Sequence, residues 1–175
     1  TIAGGVDLAC VAAAGIGGSG LLNFRRCTDV SVDGIILRDS CMWTATSINC
    51  IGLEFKNVKV IGMWRYNSDG FDFVNSQNVH VSDCFLRTFD DSIVLKGLQG
   101  CDTVNVEDYL IENCVVWCDW GRALEIGAET CATEYKDIVF KDCDIIHASA
   151  VALDVQHHNW ADIHDIEFKD IRCEF

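Results

Sequence analysis

The stretch "DIVFKDC", Asp137 to Cys143, has five relatives in the same chain, and that repetition decides the fold. The others are "DVSVDGI" from Asp29, "NVKVIGM" from Asn57, "NVHVSDC" from Asn78, "DYLIENC" from Asp108 and "DIEFKDI" from Asp165. Starts at 29, 57, 78, 108, 137 and 165 lie 28, 21, 30, 29 and 28 residues apart, the period of a solenoid of stacked coils. Each unit opens on Asp or Asn, alternates apolar and polar residues, and meets Gly, Asn or Asp just before a last apolar position. A half-buried strand entering a bend reads this way.

The seventh position of the unit is Ile35, Met63, Cys84, Cys114, Cys143 and Ile171. Stacking puts these in one column, and a column that accepts Ile and Met is an interior one. Cys84, Cys114 and Cys143 are therefore expected as small buried hydrophobes, with redox or metal roles as the alternative. The chain has 11 cysteines, an odd number, so internal pairing leaves at least one over. None forms a CxxC pair and no Cys/His set has zinc spacing, so no metal is assigned.

A second strand is expected before each unit: "IGLEFK" from Ile51, "GFDFV" from Gly70, "SIVLKG" from Ser92, "RALEIGA" from Arg122 and "VALDVQ" from Val151. Alternation turns Phe71, Phe73, Ile93, Leu95, Leu124, Ile126, Leu153 and Val155 inward. Asp72, Val94, Glu125 and Asp154 then point out, onto one exposed sheet face. The chain has no proline and no sustained apolar period of 3.6, so helices are not expected. The fold class is all-β: a single-stranded parallel β-helix of coils of 21 to 30 residues. A leucine-rich repeat is the alternative, and it lacks its leucine pattern. Residues 1–175 read as part of one such domain whose terminal coils or caps lie elsewhere.

Half the residues are apolar or aromatic, which excludes disorder, and a net charge of −14 argues against nucleic acid as a partner. No run approaches the roughly 18 apolar residues of a membrane span. The opening "TIAGGVDLACVAAAGIGGSG" lacks the basic flank of a signal peptide. Starting at Thr1, the chain reads as a fragment.

The acids that call for explanation are in "YNSDGFDF", Tyr66 to Phe73, and "RTFDDSIVLKG", Arg87 to Gly97. Asp69 ends the loop before one strand, and Asp90 and Asp91 end the loop before the next. Coils about 4.8 Å apart bring all three together. Carboxyls at that range cannot all ionise freely, and the result is an acid beside a base. Glycoside cleavage needs such a set. Turn capping and Ca²⁺ ligation are the other readings.

The motifs "NSDG" at 67–70, "FDDSIVLKG" at 89–97 and "RALEIG" at 122–127 resemble those of glycoside hydrolase family 28, the polygalacturonase family of right-handed parallel β-helices. There the sequence reads Asn-Thr-Asp-Gly, Gly-Asp-Asp, Gly-His-Gly and Arg-Ile-Lys. The resemblance implies an inverting hydrolase of a plant or complex polysaccharide such as pectin, with Asp90 as general acid and Asp69 and Asp91 holding and activating water. Asn67 resembles the family's supporting amide, and no metal or organic cofactor is implied. It also implies an extracellular or periplasmic setting, while cysteines without an evident pairing suit a reducing one.

Two motifs depart from the family. Arg122 stands at the place of its His, and Ala152 and Asp154 stand at those of the Arg and Lys of its Arg-Ile-Lys motif. Those cations grip a galacturonate carboxylate, and an Asp repels it, so a neutral or partly neutral sugar is expected rather than plain polygalacturonate. Arg122 is expected to orient Asp91 or to balance Glu125 and Glu129. Glu125 and Asp154 are candidates for accepting bonds from sugar hydroxyls, against plain solvation. Lys96 and Trp120 join them as substrate-binding candidates, and Trp64, Tyr66, Trp117, Trp160 and Phe89 are further aromatics in nearby loops. His157 and His158 lie within reach of the groove, while His80, His147 and His164 read as structural. A carbohydrate-binding β-helix without catalysis and a polysaccharide lyase are the other functions to weigh. The lyase lacks the basic residues it needs.

Overall fold

The computed structural model describes residues 20–102 and 104–174. The opening segment read for a signal peptide, with Cys10, lies outside them. In chain order the coils are β1 (Leu22–Arg25), β2 (Thr28–Asp33) and β3 (Ile36–Arg38); β4 (Ala45–Ile48), β5 (Ile51–Lys56) and β6 (Lys59–Ile61); β7 (Phe71–Val74), β8 (Gln77–Ser82) and β9 (Phe85–Thr88). They continue as β10 (Ile93–Gly97), β11 (Val106–Glu112) and β12 (Val115–Cys118); β13 (Arg122–Thr130), β14 (Glu134–Lys141) and β15 (Asp144–Ala148); β16 (Val151–His157), β17 (Asp162–Ile163), β18 (Ile166–Lys169) and β19 (Arg172–Cys173). All pairing is parallel, in three sheets. Sheet 1 is β1-β4-β7-β10-β13-β16, sheet 2 is β2-β5-β8-β11-β14-β17 with β18 also on β14, and sheet 3 is β3-β6-β9-β12-β15-β19. This is the parallel β-helix, and the described residues contain no helix.

The repeat unit lies on sheet 2, and its inward positions stack in register. Val30, Leu53, Val79, Tyr109, Ile138 and Ile166 form one column, and Val32, Phe55, Val81, Ile111, Phe140 and Phe168 the next. Burial of such columns, at about 25 cal/mol per Å² of apolar surface, is the main force holding the coils together.

The unit's polar letters are explained by backbone shape. Its first position is left-handed in every coil: Asp29, Gly52, Asn78, Asp108, Asp137 and Asp165. So is its sixth: Gly34, Asn57, Asp83, Asn113, Asp142 and Asp170. Only Gly, Asn and Asp enter that region readily. The second unit is thus "GLEFKNV", Gly52 to Val58, not "NVKVIGM". The expected strand "IGLEFK" is β5 of sheet 2, and the sheet 1 strand of that coil is "ATSI", β4.

The cysteine column changes at one place. It runs Ile35, Val58, Cys84, Cys114, Cys143 and Ile171, with each of the first five carbonyls accepting from the next coil. Met63 leaves it and packs by Thr44, whose hydroxyl lies 3.7 Å from Sδ. Cys84, Cys114 and Cys143 are buried free thiols, each donating to the carbonyl two residues back at 3.2 Å.

Candidate active site

Three loops that feed sheet 1 meet at its edge: residues 62–70 before β7, 89–92 before β10, and 119–121 before β13. They are laced by main-chain bonds. Gly70 N–H donates to the Asp91 carbonyl at 2.8 Å, and Ser92 N–H to that of Arg122 at 2.8 Å. The Asp90 carbonyl accepts from Thr88 Oγ1 at 2.6 Å and from the Cys118 thiol at 3.3 Å. The acids therefore sit on a fixed frame, not on a free loop tip.

The structure brings Asp69, Asp90 and Asp91 together around one pocket of about 230 Å³, lined also by Asn67, Lys96, Trp120, Arg122 and Glu125. All three acids are buried. The Asn67 backbone N–H donates to Asp90 Oδ2 at 2.9 Å, so it is the main chain of Asn67, turned by a φ of +60°, that reaches Asp90. Arg122 N–H donates to Asp91 Oδ1 at 3.0 Å, with its guanidinium 3.8 Å from the same oxygen and 3.6 Å from Asp154. Lys96 Nζ is 3.7 Å from Asp91 Oδ2 and 3.4 Å from Glu129.

Electrostatics divide these groups. Burial raises the Asp90 carboxyl, partly offset by the Asn67 N–H and reinforced by Asp91. Burial and then the charge of Asp72 push Asp69 well up. Glu125 rises to about 9 through burial and then the charge of Asp91. Of the three acids, Asp91 alone has a cation within 4 Å of each oxygen, Arg122 at Oδ1 and Lys96 at Oδ2.

Several expectations change. The outer face of sheet 1 is not exposed here: Asp72, Val94 and Glu125 are at most 1% accessible. Glu125 is a buried acid of the pocket lining rather than an exposed, solvated one, and Asp154 lies 3.6 Å from Arg122. Val155, expected inward, is 45% exposed at the last coil. Lys96 is 5% accessible and enclosed by protein groups.

Tyr66, Phe89 and Trp120 cluster at the rim, with Tyr66 and Trp120 centroids 5.0 Å apart and Phe89 stacked on Trp120. Trp64 lies under Arg65, and Trp160 is exposed. Trp117 is on β12 of sheet 3 between Arg87 and His147, away from the pocket lining. His80 pairs with Glu112 and His164 with Asp165, while His157 and His158 are exposed and line no part of the pocket.

Sequence reading missed Gly121, Trp43 and Glu129 as site residues. A Cβ at 121 would stand 2.6 Å from Asp90 Oδ1 and 2.6 Å from Asp91 N, so only glycine fits. Its signal was visible as the Gly directly before Arg122. Among the described residues no cluster of His, Cys, Asp and Glu is shaped to hold a metal ion.

Comparison with known proteins follows the same lines. The model of "Glycosyl hydrolases family 28" matches residues 18–174. A probable rhamnogalacturonase A of Aspergillus oryzae is 27% identical over 127 residues, 73% of this chain and 25% of that protein. Rhamnogalacturonase B of Aspergillus niger is 28% identical over 125 residues, 71% of this chain and 21% of that protein. A putative galacturan 1,4-alpha-galacturonidase C of Aspergillus niger is 24% identical over 114 residues, 60% of this chain and 25% of that protein. The chain thus spans about a quarter of the length of these curated relatives. The structure of an exopolygalacturonase from Thermotoga maritima superposes with a TM-score of 0.66 at 19% identity, covering 87% of this chain and 42% of that one. With its solenoid, its acid motifs and a family match over nearly its whole length, this chain belongs to glycosyl hydrolase family 28.

Proposed function

We propose that this chain carries the catalytic acids of a glycoside hydrolase that cuts a pectic polysaccharide with inversion at the anomeric carbon. The observation that carries the reading is the meeting of Asp69, Asp90 and Asp91 in one pocket, where Asp90 is raised by burial and Asp91 is flanked by two cations. Asp90 gives its proton to the glycosidic oxygen as the bond to the anomeric carbon breaks. Asp91 takes a proton from the attacking water, and Asp69 helps to hold that water on the opposite face of the ring. Exchange with solvent returns a proton to Asp90 and removes one from Asp91.

The sugar at this place is neutral or partly neutral. Lys96 and Arg122 are paired with Asp91, Glu129 and Asp154, so neither cation stands free for a uronate carboxylate. Similarity to two rhamnogalacturonases supports a backbone that mixes rhamnose with galacturonate. The exposed Tyr66 and Trp120 rings offer an apolar face for a pyranose at the rim.

The test is turnover by the full-length protein on rhamnogalacturonan, polygalacturonate and neutral glycan oligosaccharides, with Asp90→Asn beside it. Hydrolysis of rhamnogalacturonan lost in Asp90→Asn, with oligosaccharide binding kept, is the expected result. Faster cleavage of polygalacturonate would refute the substrate reading, and binding with no turnover would leave a carbohydrate-binding solenoid.

A further inference from the structure

Lys96 is the one lysine of the chain buried in the site. Alternation along β10 turns Ile93 and Leu95 into the core and Val94 and Lys96 to the other face. A free lysine there would extend into the groove, and the sequence reading gave it to the substrate. The structure instead leaves only 5% of it accessible, in the pocket wall. The register of β10 with β13 shifts between Leu95 and Gly97, a bulge that carries Gly127 and Glu129 past the Lys96 side chain. Nζ lies 3.4 Å from the Gly127 carbonyl, 3.4 Å from Glu129 and 3.7 Å from Asp91 Oδ2, with the Trp43 ring 5.4 Å away.

We propose that Lys96 is a positioning residue, whose enclosed ammonium holds the Asp91 carboxyl in place as the base of the reaction and does not grip the sugar. The inference rests on the reading of Asp91 given above. The two oxygens of Asp91 are served differently: Oδ1 accepts from Arg122, while Oδ2 faces Lys96. Arg122 is one-third exposed and shared with Asp154, whereas Lys96 has only 7% of its side chain exposed. A cation removed from water acts on its neighbour with little screening.

The charged groups around Lys96 come from every packed element. Asp69 and Asp72 approach from β7 and its loop, Asp91 from the loop before β10, and Glu129 from β13. Burial alone would lower the lysine, and Asp72, Glu129, Asp69 and Asp91 together hold it above its ordinary value. It stays an ammonium throughout the working range. Glu125 and Arg122, also on β13, act on Asp91 from the other side.

The experiment measures kcat and KM across the acid limb of the pH profile for the full-length protein, Lys96→Met, Lys96→Arg and Asp91→Asn. Loss of the ammonium should lower kcat about 10-fold or more near the wild-type optimum, leave KM within about twofold, and move the acid limb upward. Lys96→Arg should bring the limb back toward wild type. A raised KM with the limb in place would make Lys96 a substrate contact, and a kcat reduced equally at all pH values would make it structural; either overturns the proposal. Asp91→Asn with wild-type turnover would remove the base itself and overturn both readings. An inactive Asp91→Asn beside an unshifted Lys96→Met overturns this one alone. Should Lys96→Met fail to fold, ¹⁵N NMR of the lysine Nζ decides: the Lys96 resonance must move in Asp91→Asn, and an unmoved resonance is contrary.

Discussion

Two columns of six residues run along the same solenoid and teach opposite lessons. On the way into sheet 3, Ile35, Val58, Cys84, Cys114, Cys143 and Ile171 stack at one level, and the buried members are apolar or thiol. On sheet 1, Asn23, Thr46, Asp72, Val94, Glu125 and Asp154 stack in the same way. Five of these six are also buried, yet four of the five are polar or ionisable. Among the described residues, both Asp72 oxygens, Glu125 Oε2 and Asn23 Nδ2 lack a hydrogen-bond partner. The first column uses burial to hold coils together. The second spends part of that stability on polar and ionisable groups beside the acids, where a purely structural sheet would place valine.

The largest effect expected from breaking this contrast is at the acid itself. Asp90→Asn should lower kcat by about 10³-fold or more, with thermal stability unchanged or slightly higher, since a buried carboxyl becomes a neutral amide. Kinetics and melting on one preparation check both halves. Gly121→Ala comes next, because its Cβ must displace either Asp90 Oδ1 or the Asp91 main chain. About 10²-fold in kcat is expected from so close a misplacement, read against a circular dichroism spectrum that keeps its β signature.

Glu125 gives the column a pH signature. Its folded value of about 9 lies above the unfolded value of 4.5, so the native state holds a proton that the unfolded chain has lost. Stability from this group is complete below pH 4.5 and falls as pH rises to about 9, by up to about 1.4 kcal/mol per pH unit. Glu125→Gln should flatten the loss measured by urea unfolding at several pH values in that window. An unchanged slope would place the proton elsewhere.

The smallest effect belongs to the dry column. Cys114→Ala removes one buried sulfur and should cost about 1 kcal/mol of unfolding free energy while leaving kcat within about twofold. A large loss of turnover there would tie the cysteine column to the chemistry and erase the distinction.

Much of this was legible in residues. The period, the strand alternation, the buried cysteines and the meeting of three acids follow from local patterns that each coil repeats. The second coil differs from its sequence reading for a physical reason: Gly52 enters the left-handed region as easily as Asp or Asn, so those two letters do not mark it and Asn57 reads as the start. β4 was hidden because "ATSI" has no apolar alternation. Burial of the sheet 1 face and the enclosure of Lys96 depend on a bulge and on residues one coil away. No local pattern carries that information.

The most direct test is the stereochemistry of the first product. The full-length protein should be given an oligosaccharide it cleaves, and the anomeric proton of the new reducing end followed by ¹H NMR before mutarotation. A product with configuration opposite to the substrate bond, absent in Asp90→Asn, is the expected result. Retained configuration, or an unsaturated sugar from elimination, would contradict the account of Asp69, Asp90 and Asp91.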